Sequence, residues 1–120
     1  MSVETEFRAL LAGFSDLTDL VGTGIALSAA EEGTEYPLVI FSVRHTPEYG
    51  LDGTTLADIC TIDVQCWAET PSSAAEVADA VMDACETAPA AKCATVVSRA
   101  DMFDEETAQS GVQLQVEWWA

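Results

Sequence analysis

Apolar residues at three- and four-residue spacing open the chain. Val3, Phe7, Leu10, Leu11 and Phe14 fall on one stripe, the pattern of an amphipathic helix. Ser2 can cap its start, Glu4 and Glu6 suit the positive end of the helix dipole, and Gly13 offers a stop. Ser15 is placed to cap a second, shorter helix that carries Leu17, Leu20 and Val21 and closes at Gly22. Residues 24–35 hold at most a short strand, Gly24–Leu27, followed by a polar loop. The period then drops to two. In PLVIFSVRH, residues 37–45, Val39, Phe41 and Val43 share one face while Leu38, Ile40, Ser42 and Arg44 share the other. Apolar residues on both faces up to Ile40 predict a central strand.

TPEYGLDGTT, residues 46–55, has the proline, glycine and Asp-Gly signals of a loop or a loose hairpin tip. The next strand, ADICTIDVQCW, alternates cleanly: Cys60, Ile62, Val64 and Cys66 point one way, Thr61, Asp63, Gln65 and Trp67 the other. A longer helix follows. Thr70 before Pro71 fits a cap with proline at the first helical position, and Ser73 with Glu76 fits a capping box. Ala74, Val77, Ala78, Val81, Met82 and Cys85 form its apolar stripe, opposite Glu76, Asp79, Asp83 and Glu86, and Pro89 marks its end. Two strands close the chain, about Cys93–Ala100 and Val112–Trp119, separated by the acidic loop DMFDEETAQSG. In the last strand Val112, Leu114, Val116 and Trp118 have core character; Gln113, Gln115, Glu117 and Trp119 form the wet face. Trp118 is therefore predicted to be a core anchor, whereas Trp119 points the opposite way.

The order is α(α)-β-β-β-α-β-β, with no repeat and no linker. It predicts a single α+β domain over residues 1–120: a mainly antiparallel four- to five-stranded sheet with two helices packed on one face.

Composition narrows the function classes. The chain is 49% apolar and 21% charged, a globular balance, and no apolar run approaches the ~18 residues of a membrane span. MSVETEFRALL has acids where a secretory signal needs bases, so the chain reads as intracellular. Four bases (Arg8, Arg44, Lys92, Arg99) face 21 acids, for a formal charge of −17. That charge opposes specific nucleic-acid binding and docking on an anionic membrane. It fits a salt-rich setting or simple acidic drift equally well.

Candidate chemistry is sparse. Cys60 and Cys66 lie six residues apart on one strand, about 20 Å, too far to bridge. The four cysteines have no zinc spacing and read as small buried hydrophobes. His45, at a strand end, reads as a solvated or satisfied side chain. Gly22-Thr23-Gly24 lacks the rest of a dinucleotide fingerprint. Asp101, Asp104, Glu105 and Glu106 lack the spacing of a calcium loop and read as a solvated acidic segment. The expectation is no enzyme, no catalytic or metal-binding residue and no cofactor. The wet face says more. Trp67 and Trp119 close otherwise polar strand faces, and Tyr49 and Leu51 sit on the 46–55 loop. Aromatic anchors with a polar rim are the composition of an interface, so these four are the candidate contacts to other subunits or partners. The other reading is that each folds over its own sheet edge or is covered by a loop.

FRALLAG, DLTDLVGTGIAL, YPLVIFSV, LADICTIDVQCWAETPSSAAEVADAVMDA and GVQLQVEWWA, in this order across nearly the whole chain, resemble the tail completion (tail terminator) family of long-tailed phages and phage-like particles. The resemblance implies a structural virion protein at the head-proximal end of the tail. It would form a ring, commonly of six subunits, that caps the tail tube, ends its polymerisation and joins it to the neck. Its partners would be copies of itself, the tail tube protein and the neck or head–tail connector protein. DNA would only pass through the lumen, no membrane would be involved, and assembly would occur in the host cytoplasm. The charge adds an expectation that acid lining the lumen aids DNA transit while opposing ring closure, so that salt or cations assist assembly. Two other readings are a neck or head-completion adaptor of the same particle and an acidic cytosolic protein that inhibits a DNA-binding partner by charge mimicry.

Overall fold

The computed structural model of the chain describes residues 2–28, 35–49 and 55–119, of which 46–49 and 55–58 are described by their backbone. Its elements in chain order are α1 (Val3–Ala12), α2 (Ser15–Val21), β1 (Ile25–Leu27), β2 (Leu38–Tyr49), β3 (Thr55–Ala68), α3 (Pro71–Glu86), a 3-10 turn (Ala90–Lys92), β4 (Thr95–Asp104) and β5 (Gln109–Trp119). One five-stranded sheet has the order β1-β2-β3-β5-β4. Only β1 runs parallel to its neighbour; the other three pairings are antiparallel. The architecture is the expected α+β sheet with its helices on one face.

Local chemistry explains the helix ends. Ser2 Oγ accepts the Thr5 amide at 3.2 Å and caps α1, while Thr70 Oγ1 accepts the Ser73 amide at 3.1 Å and caps α3 with Pro71 just inside. Two expected caps are corrected. Phe14, not Ser15, occupies the cap of α2 and offers no side-chain oxygen, so Ser15 is the first helical residue. Ser73 is already inside α3 and takes a bond from Thr70 Oγ1, so the Ser73/Glu76 box does not form. Gly22 ends α2 at φ 59, a left-handed conformation that costs a residue without Cβ little.

The last two strands also differ from expectation. Residues read as an acidic loop continue β4 through Asp104, and β5 begins at Gln109, leaving a turn of only Glu105–Ala108. The Asp104 carboxylate accepts the Glu106 amide at 2.9 Å, so acids there shape the turn rather than line a loop. Likewise β2 runs on to Tyr49 and β3 starts at Thr55, so residues 46–49 and 55 are strand; residues 50–54 lie outside the described residues.

Strand parity sorts the faces as predicted. Val39, Phe41, Cys60, Ile62, Val64, Cys66, Val112, Leu114, Val116 and Trp118 are buried against the helices, which contribute Phe7, Leu11, Leu17, Val77, Ala78 and Val81. Trp118 is 2% exposed and meets Phe7 edge-on at 5.7 Å between ring centroids; Phe7 in turn meets Phe41 edge-on at 5.3 Å. These rings pin α1 across β2, β3 and β5. The Lys92 ammonium lies 3.1 Å from the Glu6 carboxylate and ties the 3-10 turn back to α1. The central hairpin outreaches its neighbours: β5 pairs with β3 only as far as Ile59–Trp119, while β2 and β3 stay paired beyond it to Tyr49–Thr55. That extension gives the molecule its 50 × 29 × 23 Å shape.

Candidate functional site

The helices cover one face of the sheet; among the described residues no element packs on the other. On that open face the register sets Ser42, Asp63, Gln115 and Ser98 in line across four strands, and Arg44, opposite Thr61, reaches diagonally to Asp63. Arg44 on β2 donates through Nε to Asp63 Oδ2 on β3 at 2.9 Å and through Nη2 to Oδ1 at 3.3 Å. Gln115 on β5 donates to the same Oδ1 at 3.2 Å and accepts Ser98 Oγ of β4 at 3.2 Å. Four strands are thus linked by one hydrogen-bonded row, Arg44–Asp63–Gln115–Ser98. Thr61, Gln65 and Gln113 lie half-buried beside it. Side chains bonded to one another form a preorganised surface, which lowers the ordering cost of a contact.

The charge is divided unevenly between the two sides. The three helices carry eight acids (Glu4, Glu6, Asp16, Asp19, Glu76, Asp79, Asp83, Glu86) against the single base Arg8. The described side chains of the open face include Asp63, Asp104 and Glu117 with Arg44, and Asp63 is ion-paired to Arg44. Among the described side chains the net charge is thus lower on the open face than over the helices, where Lys92 and Arg99 pair only with Glu6 and Asp79.

The predicted contact residues fall as follows. Trp118 is 2% exposed and lies on the helix side of β5. Trp119 is 43% exposed at one end of the open face, opposite Ile59. Trp67 is on the same face but half-buried: its register partner is Gly111, where an added Cβ would lie 2.8 Å from two ring carbons of Trp67 and 3.1 Å from Met102 Cε. The indole lies over the glycine and beside Met102, and its N–H donates to Gln65 Oε1 at 3.2 Å. Trp67 and Trp119 are separated by the eight residue steps from Ile59 to Trp67, about 26 Å along a strand, and do not form one patch. Tyr49 is the last residue of β2, paired with Thr55, and Leu51 lies outside the described residues.

Three exposed apolar residues were not anticipated: Leu27 at the end of β1, and Val97 and Phe103 on β4, 48% and 61% exposed. Phe103 was hidden among acids in the sequence; only its strand register reveals it as a group on a sheet edge.

The thiols are quiet. Cys60, Cys66 and Cys85 are buried, and burial pushes Cys66 up to about 12 and Cys85 up to about 11, so both stay protonated. Cys93 departs from the expectation of burial: it is exposed, at the left-handed end of the 3-10 turn. His45 is exposed at the backbone level of Cys60, with Nδ1 3.3 Å from the buried Sγ. Among the described residues no three His, Cys, Asp or Glu side chains gather as a metal site.

The family model described as "Tail completion protein gp17" matches residues 5–120. Among solved structures, a chain from the "Virion of native gene transfer agent (GTA) particle" superposes with a TM-score of 0.76 at 14% identity, covering 98% of the present chain and 93% of that one. No curated protein matches.

Proposed function

The chain belongs to the tail completion protein gp17 family, and from that premise we propose that it forms a ring at the head-proximal end of a phage-like tail tube. There it ends tube polymerisation and joins the tail to the neck. Family membership makes it a structural component of a phage tail or neck; the ring and its position are the finer reading. The observation that carries that reading is the open sheet face, internally bonded and poorer in net charge among the described side chains than the acid-crowded helices. A surface of this kind suits contact with further copies or with a neighbouring virion protein. Six copies at −17 each would bring together about −100 formal charges, so closure should strengthen as salt screens them.

The decisive test is deletion of the gene in the producing strain followed by electron microscopy of the particles. Overlong tubes that fail to join heads are expected. Tubes of normal length that remain headless would assign the chain to the neck alone, and normal particles would defeat both positions.

A further inference from the structure

β4 is an edge strand, and among the described residues nothing pairs with its outer side. Its ten residues, TVVSRADMFD, include neither lysine nor proline, two of the usual guards against edge pairing. A bulge between Val96 and Ser98 is its one irregularity. Residues 97–101 are exposed, as is Phe103. Opposite β5, Arg99, Asp101 and Phe103 align with the core-facing Leu114, Val112 and Ser110, so all three share the helix side of the strand.

The pair Arg99 and Asp101 is self-complementary when reversed, with Phe103 at one end and the bulged Val97, which has no register partner on β5, at the other. In an antiparallel pair only every second residue turns its amide and carbonyl outward. Two copies of one strand can therefore pair only in registers that match outward groups to outward groups. Centring such a pair on Arg99 sets arginine on arginine, and centring it on Asp101 sets aspartate on aspartate. Centring it on Ala100 sets Arg99 of each copy against Asp101 of the other and brings Phe103 of each to the bulge at Val97 of the other. Arg99 uses Nη1 for Asp79 at 2.7 Å, which leaves other donors of its guanidinium for the second carboxylate.

We propose that two copies of the chain pair antiparallel along β4 about a two-fold axis at Ala100, continuing the sheet from one copy into the next. The contact is isologous and closes at two, so it cannot propagate around a ring; it is the state of the unassembled chain and stands independently of the ring. From Val97 to Phe103 the seam is about 23 Å of strand, short of a standard interface, and the affinity belongs in the micromolar-to-millimolar range.

Sedimentation equilibrium from about 10 µM to 1 mM tests this with two charge variants, each first shown by circular dichroism to be folded. In Arg99→Glu the seam opposes two acids, and in Asp101→Arg two bases; each should weaken the dimer about tenfold or more. Mixed in equal amounts, the variants oppose unlike charges at both positions, and the dimer should return to wild-type strength. A wild type that stays monomeric, a dimer indifferent to both variants, or no recovery on mixing would each overturn the proposal. A wild type that passes from monomer to ring without a dimer also overturns it while leaving the ring intact. A rescued dimer that forms no ring at any salt concentration supports it and defeats the ring.

Discussion

Adjacent tryptophans with opposite surroundings offer a sharp test of the packing. Trp118 is 2% exposed and braces Phe7 edge-on, while Trp119 is 43% exposed beside Ile59. Truncating a fully buried Trp to Ala removes its transfer energy and leaves a cavity, about 3–5 kcal/mol. Global unfolding of a domain of this size carries about 0.25 kcal/mol per kelvin of entropy, so Trp118→Ala should lower Tm by about 12–20 °C. Trp119→Ala loses only partial burial, about 1 kcal/mol or less, and should move Tm by no more than about 4 °C. Trp118 adds a further signature: its indole N–H is buried with no hydrogen-bond partner among the described residues. An orphaned donor costs about 1–3 kcal/mol, so Trp118→Phe, which removes it and keeps a ring against Phe7, should lie much nearer wild type than the alanine variant. Thermal melts followed by circular dichroism, at concentrations too low for association, read all three. Equal Tm losses for Trp118→Ala and Trp119→Ala would refute the division between core and surface.

Gly111→Ala places a Cβ 2.8 Å from the Trp67 ring and should expel the indole, at a cost of about 1–3 kcal/mol, with a red-shifted, more readily quenched Trp67 emission; unchanged emission would refute the stacking. Of the four thiols, Cys93 alone should react with a disulfide reagent in the native state at pH 8, the other three only on unfolding. Because burial raises Cys66 to about 12 and Cys85 to about 11, their stabilising effect is full below the unfolded thiol value near 9 and is lost as pH climbs towards 11–12; chemical unfolding across pH 8–11 measures that loss. Ring formation should rise with salt in mass photometry, and rings equally stable at low and high salt would remove the electrostatic argument.

Periodicity alone was enough to place α1, α3 and the alternating faces of β2, β3 and β5, because each buries one stripe and solvates the other. It failed where neighbours decide the outcome. Met102 and Phe103 sit between acids and read as loop, yet pairing with Gly111 and Ser110 makes them strand. Trp67 looks like an exposed anchor until Gly111 is seen to leave room beneath it. The Arg44–Asp63–Gln115–Ser98 row draws its members from four strands, and nothing local to any one of them marks it. Its existence depends on β5 entering the sheet between β3 and β4, a choice of partner that alternation does not encode.

The distribution of charge constrains how such a chain can meet copies of itself. Spread evenly, −17 would oppose every approach equally. Here the eight helix acids lie on one side, offset in part by Arg8, Lys92 and Arg99, and a contact that stacks two helix layers face to face meets the greatest repulsion. On the open face Arg44 already neutralises Asp63, and on the edge Arg99 stands two residues from Asp101 on the same side. The same reasoning separates the roles of these surfaces. A face can meet a different surface of the next copy and so build a ring, whereas a self-complementary edge is satisfied by one partner. Screening should therefore favour the ring more than the pair, because the ring gathers more helix layers into one assembly while the edge seam opposes unlike charges and weakens as salt rises.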